Sequence, residues 1–112
     1  MRRFAHAYAP LDEALARAVI DLSGRGFFAW RVPAELEQVW VTHDFPLTLV
    51  ADLFQALATH AGLTLHLDVL AGRNPHHVAE ACFKAVAVAL RAAVERRVEK
   101  GADIPSTKGV LG

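Results

Sequence analysis

The period of hydrophobic and polar positions changes along the chain, and it predicts strands first and helices afterwards. Residues 3–9 alternate loosely, residues 16–24 are rich in β-branched side chains, and the aromatic-rich residues 27–33 end at a proline. Such patterns are typical of strands. We expect residues 10–15 to be a turn with at most a little helix, residues 27–33 to complete a hairpin, and residues 38–44 to extend the sheet or form an excursion from it.

The middle of the chain has the spacing of a helix followed by a strand. Residues 46–60 place four side chains at helical intervals, and Pro46 suits the first turn while Gly62 provides a stop. The four are Leu49, Leu53, Leu57 and His60. The alternation of residues 63–72 predicts a strand with one apolar and one polar face.

The last helix is predicted over residues 75–97. Asn74 is a good N-cap, and Pro75 suits the first helical position. The residues on its packing face are mostly small, which implies a close approach to the sheet: Val78, Cys82, Ala85, Val86, Ala89 and Ala93. The order of strands, helix, strand and helix predicts the α/β (α+β) class, as a two-layer sandwich in a single domain over residues 1–112.

Composition narrows the possible partners. Lys plus Arg and Asp plus Glu both number 12, so no net charge draws the chain to nucleic acid or to an anionic membrane. The single cysteine, Cys82, forms no disulfide within the chain, which suits a reducing compartment. The sequence has no recognisable signal peptide and no run of roughly 18 apolar residues. We therefore expect a cytoplasmic protein that binds neither nucleic acid nor membrane.

The stretch "GRNPHHVAEACFKAV" carries the first candidate for chemistry. His76 and Glu80 are four positions apart, so a helix places an imidazole and a carboxylate on one face, where they can hold one cation. His77 points about 100° away and can serve a second ion. This donor set suits Mn, Fe or Zn. The alternative is a polar start to a packing helix, at a helix N-terminus that disfavours cations.

The second candidate is an anion site. Ser106 and Lys108, between a proline and a glycine, could cradle a phosphate through a hydroxyl, backbone N–H groups and an ammonium. Arg25, at a tight turn, and Arg3 could add guanidinium groups. The alternative is that these exposed basic residues are simply solvated.

The blocks "HHVAEACFKA" and "PSTKG", in this order and at this separation, resemble the C-terminal half of imidazoleglycerol-phosphate dehydratase. The stretch "RRFAHAYAPLDEALARAVIDLSGR" resembles the segment that opens that half. The resemblance implies a half-repeat similar to the second domain of ribosomal protein S5. It also implies dehydration of imidazole glycerol phosphate to imidazole acetol phosphate in histidine biosynthesis, with two manganese ions per complete site.

The resemblance also implies roles for particular residues. His76, His77 and Glu80 fall on the family's metal ligands, and Glu80 is also the candidate for proton transfer. Asp52 stands where the family has a histidine ligand on the preceding helix. Four residues fall on phosphate-binding positions: Arg3, Arg25, Ser106 and Lys108. Ala5 and Gly26 stand where a glycine and a proline are expected.

The resemblance implies a full subunit of two such halves, of which this sequence resembles only the second. Two hypotheses follow: a manganese-dependent half-enzyme that oligomerises or pairs with an N-terminal half, or a non-catalytic half-domain that self-assembles and lacks a complete site. A third reading, a phosphate or nucleic-acid binder using the basic residues 91–100, is disfavoured by the neutral charge and the lack of nearby aromatic side chains.

Overall fold

The structure, a computed structural model, describes the backbone of residues 3–103 and the side chains of residues 3–95. Within these limits the elements are, in chain order, β1 (Phe4–Leu11), β2 (Ala14–Asp21), β3 (Phe27–Arg31), a 3-10 turn (Ala34–Leu36), β4 (Trp40–Thr42), β5 (Phe45–Pro46), α1 (Thr48–Ala61), β6 (Thr64–Ala71) and α2 (Pro75–Asp103). The expected order of strands, helix, strand and helix is confirmed.

The main sheet has the order β1-β2-β6-β3. β1 pairs antiparallel with β2, and β2 pairs antiparallel with β6. β3 pairs parallel with β6, so the expectation that residues 27–33 complete a hairpin was wrong. A parallel pair requires a crossover connection, and α1 lies within that connection. The short strands β4 and β5 pair only with each other, which makes residues 38–44 part of an excursion from the main sheet.

Both helices pack on one face of this sheet, which makes the fold a two-layer α/β sandwich. α2 lies against β1 and β2. Alanine fills every buried position of these strands except Ile20 of β2: Ala5, Ala7 and Ala9 in β1, and Ala14, Ala16 and Ala18 in β2. The packing face predicted for α2 is buried throughout. Small side chains on both sides allow the close approach that the sequence predicted.

The face of α1 that packs is not the one suggested by the leucine spacing. Val50, Phe54 and Ala58 are buried, whereas Leu49 and Leu53 are 45% and 51% exposed. The two stripes differ by one position, a rotation of about 100°. Within the described residues Leu49 and Leu53 stay uncovered, whereas Leu57 is partly buried against the core.

The ends of the helices partly follow the sequence signals. Pro46 belongs to β5, so its expected place in the first turn of α1 was wrong. Gly62 ends α1 as expected, with φ +68°, a conformation that glycine adopts without strain. α2 continues to Asp103, beyond the predicted end at residue 97. Residues 104–112, with Ser106 and Lys108, lie outside the described residues.

Gly26 marks a close contact between the start of β3 and α1. A Cβ atom at this position would lie 2.7 Å from Thr59 Cα and 2.8 Å from the Ala58 carbonyl oxygen. These are backbone atoms, so only a movement of the helix would make room. The backbone at Gly26 therefore leaves no space for a larger side chain.

The sheet face away from the helices carries an ion cluster around one buried carboxylate. Asp68 is 5% exposed and accepts hydrogen bonds from Arg31 and from Arg17, the latter at 3.2 Å. Burial alone would raise the pKa of Asp68, but the hydrogen bonds and charges of the two guanidinium groups hold that pKa below its usual range. Arg31 also contacts His66 Nδ1 at 3.0 Å. The polar face expected for β6 is thus partly buried.

Within the described part of the chain, neither helix combines the length and apolar character needed to cross a bilayer.

Candidate metal centre

The candidate ligands lie at the start of α2, and Asn74 defines that start. Its side-chain Oδ1 accepts hydrogen bonds from the backbone N–H groups of His76, at 2.9 Å, and His77, at 3.3 Å. Its carbonyl oxygen accepts the first bond of the helix, from Val78 N–H at 3.0 Å. The prediction that Asn74 caps the helix is confirmed, and the cap fixes the direction in which both imidazoles leave the backbone.

His76 and Glu80 face each other along α2, as their spacing predicts. His76 Nε2 lies 3.6 Å from Glu80 Oε1, and the two side chains are 68% and 42% exposed. An ion placed between these two atoms can form bonds of about 2.0–2.2 Å to both of them. The chemistry and separation of these donors fit a divalent ion such as manganese.

An apolar cavity of about 290 Å³ adjoins this pair. It is formed where the β4–β5 excursion approaches the first turns of α2, and its lining residues are Val41, Thr42, Phe45, His76, Ala79, Glu80 and Phe83. On the other side, Lys84 Nζ lies 3.2 Å from Glu80 Oε2. One carboxylate oxygen of Glu80 thus faces an ammonium group and the other faces His76.

His77 turns away from His76 and contacts the β1–β2 turn. Its Nδ1 lies 2.8 Å from Glu13 Oε1, and its Nε2 lies 3.8 Å from Asp12 Oδ2. The hydrogen bond to Glu13 and the negative charges of Glu13, Asp12 and Glu80 raise the pKa of His77. The two adjacent histidines therefore have separate carboxylate partners.

Glu13 is held by three donors. Its Oε2 accepts hydrogen bonds from the backbone N–H groups of Asn74, at 2.7 Å, and Arg73, at 2.9 Å, in addition to the His77 contact at Oε1. The bond from Asn74, followed by those from His77 and Arg73, lowers the pKa of Glu13 to about 2. An ionised carboxylate is thus fixed beside the start of α2.

These carboxylates change the electrostatics of the helix start. The positive end of a helix dipole disfavours a cation. Asp12, Glu13 and Glu80 bring three negative groups to the same region, against the ammonium of Lys84. The local charge is therefore compatible with a divalent ion in spite of the dipole.

The structure does not group Asp52 with His76 and Glu80. Asp52 is exposed on α1, and the α1 residue that meets α2 is Phe54, whose ring lies 5.1 Å from that of Phe83. Two helical positions correspond to a rotation of about 200°, so Asp52 lies on the opposite side of α1. Among the described side chains, no set of three or more His, Cys, Asp or Glu residues converges on one point. A metal-binding role for Asp52 stays a prediction.

The candidate phosphate-binding arginines lie at the other end of the sheet. Arg3 Nε contacts Asp21 Oδ1 at 3.1 Å, and Asp21 is paired in register with Thr64 at the start of β6. Arg25 follows the turn held by Ser23, whose hydroxyl is 3.2 Å from that of Thr64. The α2 start follows the opposite end of β6. The roughly seven residue-to-residue steps along the eight residues of β6, at about 3.3 Å each, separate the two groups by roughly 23 Å.

Glu13 is the residue of this region that the sequence reading missed. The stretch around it was read as a turn with a little helix, whereas β1 and β2 are joined directly by Asp12 and Glu13. Asp12 has φ +50°, a conformation that aspartate tolerates better than most residues. Two adjacent carboxylates in so tight a turn were the available signal, but their partner lies more than 60 positions away.

The fold and its polar cluster define a two-layer α/β protein with imidazole and carboxylate donors at the first turn of its longest helix. A family model described as imidazoleglycerol-phosphate dehydratase matches residues 1–90. The chain belongs to this family, and the resemblance read from its sequence is confirmed.

Individual relatives agree. The chain is 50% identical over 111 residues to imidazoleglycerol-phosphate dehydratase of Cereibacter sphaeroides and 54% identical to that of Granulibacter bethesdensis; both matches cover 99% of this chain and 55% of the relative. The crystal structure of the Staphylococcus aureus dehydratase matches with a TM-score of 0.72 and 41% identity, over 81% of this chain and 52% of that one. The chain thus spans about half the length of the curated relatives it matches.

Proposed function

We propose that this chain takes part in the manganese-dependent dehydration of imidazole glycerol phosphate to imidazole acetol phosphate, a step of histidine biosynthesis. It does so as a half-subunit that oligomerises or pairs with a first half. The observation that carries the proposal is the 3.6 Å separation of His76 Nε2 and Glu80 Oε1 in a chain of this family.

Each residue at the start of α2 has a distinct task. His76 and Glu80 hold one ion, and His77 offers a ring nitrogen to a second. Manganese, when bound, supplies a Lewis acid and orients the substrate. Loss of water also requires a proton to be removed and one to be delivered. Glu80 Oε2, 3.2 Å from Lys84 Nζ, is the carboxylate oxygen left for proton transfer once Oε1 ligates.

Two observations support pairing. The roughly 23 Å between the α2 start and the Arg3–Arg25 end of the sheet is too long for one small substrate to bridge, so a complete site draws on more than one half. In addition, Leu49 and Leu53 are exposed apolar side chains one turn apart on the same face of α1. An apolar helical face of this kind is typical of an interface.

A reconstitution assay tests the enzymatic role. We expect turnover when the purified chain is mixed with manganese, substrate and the first half of a full-length relative, and its loss in His76→Ala and Glu80→Gln. His60→Ala and Glu95→Gln remove the same chemical groups at exposed positions away from the α2 start and should leave turnover unchanged. If neither the chain alone nor the mixture turns over substrate, the proposal is wrong.

The alternative is a non-catalytic half-domain that self-assembles. The aspartate at position 52, in place of the family's histidine, favours it because a shorter ligand with an added charge changes the metal geometry. Native mass and metal content of the chain distinguish the two. An oligomer that binds manganese but stays inactive in every mixture supports the alternative, whereas activity that depends on His76 excludes it.

A further inference from the structure

Glu13 divides its two carboxylate oxygens between two tasks. Oε2 accepts both backbone bonds, from Arg73 N–H at 2.9 Å and Asn74 N–H at 2.7 Å, and so ties the β1–β2 turn to the residues just before α2. Oε1 contacts only the ring of His77, at 2.8 Å from Nδ1, among the hydrogen bonds of the described residues. Asn74 already caps the N-terminus of α2, so the contact between Glu13 Oε1 and His77 is not required for capping.

The contact at Oε1 fixes the proton of the imidazole. An ionised carboxylate only accepts hydrogen bonds, so the proton of a neutral His77 resides on Nδ1 and the lone pair on Nε2. Asp12 Oδ2, 3.8 Å from Nε2, adds a negative charge on the side that this lone pair faces. The lone pair of His77 Nε2 is thus oriented to bind a cation.

We propose that Glu13 is a positioning residue that holds His77 in the tautomer whose Nε2 binds metal. The proposal rests on the proposed function, since it gives His77 a metal to bind. A carboxylate that fixes a ligating histidine is known to change metal affinity by about 10–100-fold when it is removed. In this role Glu13 acts on the metal only through the imidazole of His77.

Glu13→Gln tests the proposal with little change to the fold. The amide oxygen is the only atom of glutamine that can replace Oε2 as acceptor of the two backbone bonds, so the NH2 group must face His77 Nδ1. It then donates to Nδ1, and the ring proton moves to Nε2, where it blocks the metal. Nitrogen-15 spectra of the His77 ring, recorded without metal at alkaline pH, should show Nδ1–H in the unchanged chain and Nε2–H in the variant.

Manganese binding is then measured by titration calorimetry on the same samples. We expect an affinity about 10–100-fold lower in Glu13→Gln. Glu35→Gln removes the same charge from an exposed position in the 3-10 turn and should leave both tautomer and affinity unchanged. If Glu13 only stabilised the fold, Glu13→Gln would not change the tautomer of His77.

The results separate this proposal from the proposed function. Equal manganese affinity in the chain, Glu35→Gln and Glu13→Gln overturns the role of Glu13 and leaves the metal site standing. Absence of binding in the chain and in Glu35→Gln overturns the metal site and this role with it. If Glu13→Gln does not fold, the unchanged chain still decides, because an Nε2–H tautomer there contradicts the proposal.

Discussion

The rings of Phe54 and Phe83 lie with their centroids 5.1 Å apart and their planes inclined at 52°, and this pair joins α1 to α2. Tilted arrangements of this kind are favourable for aromatic rings. Phe83 also lines the cavity beside His76 and Glu80. The contact between the helices and the surroundings of the candidate metal pair therefore share a side chain.

Phe54→Ala should strongly destabilise the protein. The substitution removes a buried ring from the contact between α1 and α2, which costs about 3–5 kcal/mol of unfolding free energy. Leu53→Ala, one position away on the exposed face, should cost much less. Urea unfolding of both variants measures the difference, and equal losses would contradict a packing face of α1 that includes Phe54 and excludes Leu53.

Asn74→Ala should weaken the start of α2. The alanine removes the acceptor for the backbone N–H groups of His76 and His77 and should cost about 0.5–2 kcal/mol. Asn74→Asp keeps an oxygen in the same place and serves as the control. Chemical denaturation and amide hydrogen exchange of residues 76 and 77 report the effect; unchanged protection in the alanine variant would contradict it.

The hydrogen bonds of Glu13 should make stability depend on pH in the acid range. The pKa of this carboxyl falls from 4.5 to about 2 on folding, so its contribution is fully present above pH 4.5 and is lost as pH falls towards 2. Glu13→Gln should therefore be less stable than the unchanged chain at neutral pH, with a difference that shrinks below pH 4.5. A difference that is constant across this range would show that ionisation of Glu13 is not involved.

Gly26→Ala should displace α1. The added methyl group meets the backbone of Ala58 and Thr59, and overpacking of this kind costs about 1–3 kcal/mol. Gly24→Ala is the comparison, because its surroundings are open and only its φ of +84° is strained. Amide spectra should change along α1 in the first variant and only near the turn in the second. The same spectra would rule out the close contact if α1 were unaffected by Gly26→Ala.

Cys82 should be inert in the folded protein. It is fully buried on the packing face of α2, and burial raises the pKa of its thiol to about 12, which leaves little thiolate to react. Labelling by a thiol reagent should therefore proceed at the rate of unfolding or local opening and accelerate in urea. Rapid labelling without denaturant would contradict this packing.

The elements with strong local patterns were predictable. The strict alternation of β6 and the small packing face of α2 follow from side-chain periodicity, and Asn74 and Gly62 mark their helix ends by their own chemistry. The pairing of β3 was not predictable in this way, because a strand next to β2 in sequence joins β6 through a crossover. Periodicity does not distinguish these partners.

In the candidate site, too, local contacts were predictable from the sequence and long-range contacts were not. His76 and Glu80 are four positions apart, so helical geometry alone brings them together. Glu13 and His77 are 64 positions apart, and their contact depends on the register of β1, β2 and β6. The predicted packing face of α1 is wrong by one position. The sequence offers two apolar stripes, one of leucines and one that contains Val50 and Phe54, and tertiary contacts decide which of them is buried.

The position of β6 between β2 and β3 has a consequence for synthesis on the ribosome. β1 and β2 can form their hairpin as soon as they leave the exit tunnel, but β3 has no neighbour in the main sheet until residue 71 has emerged. During that interval the nascent chain exposes unpaired strand edges, which are prone to misassociation. Translation speed through residues 32–71 therefore sets how long these edges stay unpaired.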